Sequence, residues 1–242
     1  MQKHRSTTVR HILPLLLTLI LCCSLFSSLS LRYVSPTLLV ESIPTKARTL
    51  TVVLDAGHGG EDGGAVSADG LVEKDVNLAV VLLLRDMLVA NGIHVVLTRE
   101  TDTLLYDKNA DYEGRKKALD AAERLRIAHE TPDCIFVSIH MNTYPLPTCR
   151  GMQVWYSSNN AKSAELANCV QETAKSVLQP DNNRRVNVAG SGIYLMHHLS
   201  VPAVLVECGF LSTPDEAALL ATEEYQRQLA FTVFCGILSY MA

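Results

Sequence analysis

Two histidines and two glutamates stand where this chain can do chemistry: His58, Glu73, His140 and Glu207. His58 follows the apolar run Thr51–Asp55, His140 closes the run from Phe136, and Glu207 closes the run from Ala203. Each of these three ends a strand candidate, and in a parallel sheet such ends share one rim, where open α/β folds build their sites. Glu73 opens the helical stretch that begins Glu-Lys-Asp-Val-Asn-Leu. A His, Glu, His set suits zinc, which in catalytic sites commonly takes three protein ligands and keeps one position open. The chain has no HExxH helix, so such ligands must come from separate segments. A glutamate in a first turn also serves simply as partner to the positive end of its helix, and Glu73 keeps both readings at this level. Glu207 lies within Val-Leu-Val-Glu-Cys-Gly-Phe, where a carboxylate is costly to bury unless paired or functional. It is either a structural group tied to amides or an arginine, or a general base beside an ion; its place at a strand end favours the base.

The loop from Gly57 to Gly64 is rich in glycine but is not a nucleotide motif: its spacing is not GxGxxG, and no Gly-Lys-Ser/Thr follows. A loop so poor in Cβ atoms suits close passage over something compact, such as an ion with its ligands. His197 and His198 follow a strand candidate over residues 193–196. Neighbours on a strand point to opposite sides, so the pair is expected at the surface or against substrate rather than on one ion. His94 and His129 have no acidic or histidine company and are expected at the surface.

The elements that must position these groups alternate in kind. Strand candidates cover residues 51–55, 93–97, 134–139, 152–156, 193–196 and 203–206; helical patterns cover 75–91, 112–130, 161–178 and 222–241. The alternation predicts a single α/β domain with a twisted, largely parallel sheet, and strands apolar on both faces predict helices on both sides. With 242 residues, 48% hydrophobic, 19% charged and a net charge of −4, the chain is too apolar to be disordered. It is also too acidic to suggest nucleic acid as a partner. Seven cysteines without a CxxC pair exclude a zinc ribbon and read as small buried hydrophobes. Residues 11–31 carry no charged side chain and follow Lys3, Arg5 and Arg10, the pattern of a membrane anchor whose basic end stays in the cytoplasm. A cleaved signal segment is the alternative, with small residues Ser27, Ser28 and Ser30 near its end. The expected organisation is a basic region and anchor or signal segment over residues 1–31, a linker over 32–48 and the folded domain over 49–242. The domain is thus expected outside the cytoplasmic membrane, attached to it or secreted to the wall.

Five motifs, LDAGHGGEDGGA (residues 54–65), EKDVNL (73–78), LTRETD (97–102), FVSIHMN (136–142) and PAVLVECGFLS (202–212), resemble those of zinc-dependent N-acetylmuramoyl-L-alanine amidases, in family order. The resemblance covers essentially the whole chain from Thr51. It implies zinc held by His58, Glu73 and His140, with Glu207 as the catalytic carboxylate and Arg99 and Asn142 orienting substrate. The implied reaction is hydrolysis of the amide between the lactyl group of N-acetylmuramic acid and L-alanine of the peptidoglycan stem peptide. Met141 and His129 depart from the family pattern and would reshape the cleft without touching the metal. An anchor followed at once by a bare catalytic domain resembles the sporulation branch, whose members strip stem peptides in the spore cortex so that muramic lactam forms. An activating protein, of identity the sequence does not specify, belongs to that expectation. Two readings compete: a silent wall-binding module with a structural metal, and a zinc hydrolase acting on a different amide, such as a peptidase.

Overall fold

The computed structural model describes residues 50–242 apart from 108, 110, 111 and 113, so the expected anchor at 11–31 and the linker lie outside the described residues. Among the described residues no helix is long and apolar enough to cross a membrane.

Six strands form one sheet: β1 (Thr51–Ala56), β2 (Val95–Leu97), β3 (Cys134–Asn142), β4 (Gln153–Tyr156), β5 (Asn187–Val188) and β6 (Ala203–Phe210), in the order β2-β1-β3-β6-β4-β5. β2, β1, β3 and β6 are mutually parallel; β4 runs antiparallel to β6, with β5 parallel to β4. The largely parallel sheet expected from the alternation is therefore present, with a reversed pair at one side. The chain leaves β1 toward β2 and returns to β3 on the other flank. The strand order thus switches between β1 and β3, which is where such sheets open a crevice. His58 lies just beyond β1 and His140 near the end of β3.

The helices are α1 (Glu73–Ala90), α2 (Lys116–Glu130), α3 (Lys162–Thr173), α4 (Tyr194–His198), α5 (Pro214–Leu220) and α6 (Glu223–Met241). α1, α3 and α6 cover one face through Val76, Val80, Leu84, Leu166, Val170, Val233 and Ile237. Ala128 of α2 and Met196 of α4 pack on the other, against Val53, Phe136 and Leu205. Burial on both sides explains why the strands read as continuous apolar runs. The five described cysteines, Cys134, Cys149, Cys169, Cys208 and Cys235, are free.

Three sequence expectations change. Residues 193–196 are not a strand: Tyr194–His198 is a short helix with Met196 buried and His197 and His198 exposed, so the strand alternation invoked for those histidines does not apply. The helix expected over 161–178 leaves α geometry after Thr173 for a π-helical turn, Ala174–Leu178. The short elements α5 and β5 were not anticipated.

Candidate active site

The loop after β1 turns on His58, whose backbone is left-handed with φ 62°, a conformation non-glycine residues rarely adopt. Its carbonyl accepts from Arg124 Nη2 at 2.7 Å, so α2 pins the turn from below. Arg124 also donates to Ala56 O at 2.7 Å and to Asp55 Oδ1 at 2.5 Å, and its Nε reaches Asp120 at 2.8 Å. Asp55 in turn accepts from Thr98 Oγ1 at 2.7 Å and Ser138 Oγ at 2.5 Å. Burial pushes the Asp55 carboxyl up, but Arg124 and the two hydroxyls outweigh it and hold the group below its ordinary range. Farther along the loop, Gly60 N donates to Asp102 at 2.6 Å and Lys74 Nζ to Gly60 O at 2.8 Å.

Above this base the three expected ligands converge. Single ligand atoms of His58, Glu73 and His140 all lie within 4.8 Å of one another. Glu73 begins α1, whose first amides donate to Ala65 O at 2.9 Å and Gly63 O at 3.1 Å, so the glycine loop itself caps the helix. The Glu73 carboxylate then reaches back: Oε2 accepts from Ala65 N at 2.8 Å and faces His58 Nε2 at 3.3 Å. Oε1 accepts from His140 Nδ1 at 2.9 Å, Met141 N at 3.1 Å and Asn77 Nδ2 at 3.3 Å. On its far side His58 Nδ1 donates to Asp62 Oδ2 at 2.8 Å, which fixes the ring with Nε2 turned inward. Two glycines are required here by close approach. A Cβ on Gly57 would lie 2.2 Å from the His140 ring, and one on Gly64 would lie 2.5 Å from Glu73 Oε2. The loop does pass close to something compact, namely the ligand side chains themselves.

The electrostatics suit a cation. Burial alone would lower the His58 imidazole, but Glu73 first and Asp62 next raise it to about 9. Burial would raise Glu73, yet His140 and His58 hold it well below the ordinary carboxylate range. Glu73 thus favours the protonated form of the His58 ring. Tetrahedral zinc with bonds near 2 Å places its ligand atoms about 3.3 Å apart, which matches the 3.3 Å between His58 Nε2 and Glu73 Oε2, while His140 Nδ1 lies 2.9 Å from the other Glu73 oxygen. Two imidazoles and a carboxylate at these separations fit zinc.

Glu207 pairs directly with His140 in the β3–β6 register. Its Oε2 is buried without a hydrogen-bond partner among the described residues. Burial pushes its carboxyl up to about 7, with His140 and His58 opposing and Glu73 adding to the rise. Among the described residues no backbone amide or arginine bonds to Glu207, in contrast to Glu216, whose two oxygens accept from Gly151 N and Phe210 N, each at 2.8 Å.

Of the two residues expected to orient substrate, Arg99 is placed differently. It is 3% exposed, and its guanidinium donates to the carbonyls of Ala56, Thr101, Gly57 and Lys74 at 2.8 to 3.1 Å. Those donors are committed beneath the glycine loop, so Arg99 braces the loop from below. Asn142 ends β3 half-buried, and its side chain makes no hydrogen bond among the described residues. The Asp55–Arg124–Asp120 network has no local signature in the sequence: Asp55 ends an apolar run, and Arg124 is one of many charges on an amphipathic helix.

A family model described as N-acetylmuramoyl-L-alanine amidase matches residues 52–239. The chain belongs to the N-acetylmuramoyl-L-alanine amidase family. Among similar proteins, the germination-specific N-acetylmuramoyl-L-alanine amidase of Bacillus subtilis is 37% identical over 189 residues, covering 78% of this chain and 78% of that protein. The CwlD amidase of Clostridioides difficile, solved in complex with the GerS lipoprotein, is 39% identical with a TM-score of 0.74, covering 79% of this amidase and 98% of that chain. AmiC2 of Nostoc punctiforme is 32% identical with a TM-score of 0.66, over 79% and 97% of the two chains.

Proposed function

We propose that this amidase hydrolyses the muramoyl lactyl to L-alanine amide of peptidoglycan with a zinc ion held by His58, Glu73 and His140 and with Glu207 moving the proton. The observation that carries the reading is the convergence of the three ligand atoms within 4.8 Å beside Glu207, whose Oε2 has no partner among the described residues. Zinc at such a site polarises a carbonyl and makes water acidic near neutral pH. Glu207 Oε2 is free to take the proton of the attacking water. It returns that proton to the alanine nitrogen as the C–N bond breaks and a C–O bond replaces it, so each turnover restores the carboxylate. Asp62 holds the His58 ring, and the amides of Ala65 and Met141 hold the Glu73 carboxylate, so the ligands need little rearrangement.

The germination-specific relative supports action on spore cortex, where removal of stem peptides lets muramic lactam form. The complex of CwlD with a lipoprotein supports an activating partner for this chain as well. The uncharged apolar stretch over residues 11–31 supports attachment at the outer side of the cytoplasmic membrane, or secretion to the wall if that stretch is cleaved.

Digestion of purified peptidoglycan by the full-length protein, zinc-loaded and after chelation, tests the reading. Intact stem peptides with a new alanine amino end are expected from the loaded protein only. Cleavage within the stem that leaves the muramoyl–alanine bond whole would make the protein a peptidase. Binding to the wall with no new ends would make it a silent module.

A further inference from the structure

We infer that Arg184 anchors the carboxylate carried by the stem-peptide residue that follows the alanine; this deepens the amidase reading and rests on it. Glu207 has two ladder partners, His140 on β3 and Gln153 on β4. Directly paired residues share a face of a sheet, so His140, Glu207 and Gln153 form one row along the rim. Gln153 is nearly buried and is fixed at both ends of its amide. Its Nε2 donates to Arg185 O at 3.2 Å, and its Oε1 accepts from Arg184 Nη1 at 2.8 Å. Gln153 therefore links the strand pair bearing Glu207 to a guanidinium.

That guanidinium is held more firmly than an ordinary surface arginine. Arg184 Nε donates to Arg150 O at 2.7 Å, and Cζ lies 4.6 Å from the centroid of the Phe210 ring. Its backbone amide donates to Asn182 Oδ1 at 2.9 Å. Nη2 donates to nothing among the described residues, and no carboxylate there pairs with Arg184. Both Glu216 oxygens are taken by the amides of Gly151 and Phe210, and Asp215 lies 3.9 Å from Arg150. A half-buried, pre-positioned arginine with unspent donors in a planar fork is suited to a carboxylate.

The reach fits. Alanine and the next residue together span at most about 7 Å of extended chain, and neighbouring strands lie about 4.8 Å apart. That span is comparable to one strand spacing plus the length of the Gln153 side chain, whose Oε1 touches Arg184. A carboxylate at the far end of a longer stem would lie well beyond it.

The test compares two soluble muramoyl dipeptides that differ only in whether the second residue carries a free carboxylate or its amide, using the zinc-loaded full-length protein and its Arg184→Gln variant. The unaltered enzyme is expected to turn over the free acid with kcat/KM about tenfold higher, as for one charge-assisted hydrogen bond in a partly exposed setting. In Arg184→Gln that preference is expected to shrink to about twofold or less, with the loss falling on the acid substrate. Equal rates on the two substrates in the unaltered enzyme would overturn the anchor, and this readout does not depend on how well the variant folds. A preference that survives in a folded Arg184→Gln would overturn it too. Silence of the unaltered enzyme on both compounds, and on whole peptidoglycan, would instead overturn the amidase reading on which the anchor rests.

Discussion

The two sides of the rim are built to different standards of completeness. On the β1–α1 side, the Glu73 carboxylate contacts both histidines, two backbone amides and Asn77. His58 is gripped at its outer nitrogen by Asp62 and at its carbonyl by Arg124. On the β6–β4 side, among the described residues, Glu207 keeps a buried oxygen without a partner and Arg184 Nη2 has no acceptor. Groups that only have to hold an ion can be braced fully in advance. Groups that exchange a proton or receive a ligand must leave an atom uncommitted, and in a buried setting that carries an energetic cost.

The contrast predicts different failures on the two sides. Glu207→Gln is expected to lower turnover of peptidoglycan by about 10²- to 10⁴-fold while zinc content, measured by elemental analysis, stays near that of the unaltered protein. Loss of the metal in that variant would erase the distinction between the two sides. Asp55→Asn strikes the braced side, leaving Arg124 with Asp120 as its remaining carboxylate. A loss of about 1.5–3 kcal/mol in urea unfolding is expected, as for a buried hydrogen bond to a charged group. Gly57→Ala places a methyl against the His140 ring, and weaker metal retention by about 10- to 100-fold, in competition with a chelator, is expected from a displaced ligand.

The smallest effect concerns pH. In the chelated protein the folded-state pKa of His58 is raised to about 9 from 6.5. A raised value contributes stability that is fully present below the unfolded pKa and is lost as pH rises through the folded one. Melting temperature of the chelated protein should therefore fall between about pH 6.5 and 9. Asp55, with its pKa depressed, acts in the opposite direction: its contribution is present above about pH 4 and disappears as the solution becomes more acid. A flat profile between neutral and alkaline pH after chelation would show that the pairing of His58 with Glu73 does not form in solution.

Much of the site was legible because strand ends are easy to find in runs buried on both faces, and His58, His140 and Glu207 each follow one. Glu73 was legible as a helix start. The residues that misled did so for physical reasons. Arg99 follows a strand as a substrate-binding arginine would, and sequence does not distinguish a guanidinium turned outward from one folded under a loop onto four carbonyls. Ile-Tyr-Leu-Met at 193–196 is an apolar run too short for periodicity to separate strand from helix, and the packing of Met196 beneath the sheet decided for helix. The direction of β4 depends on partners far away in sequence, so the row linking Glu207 to Gln153 had no local signature.

The reversal at β4 has a consequence for how access to this rim can diversify. Because β3 runs toward the rim and β4 away from it, the connection over residues 143–152 both departs from and returns to the catalytic edge. Lengthening, trimming or clamping that connection would remodel the doorway to Glu207 while every strand pairing stays as it is, and surface connections tolerate such changes at small thermodynamic cost.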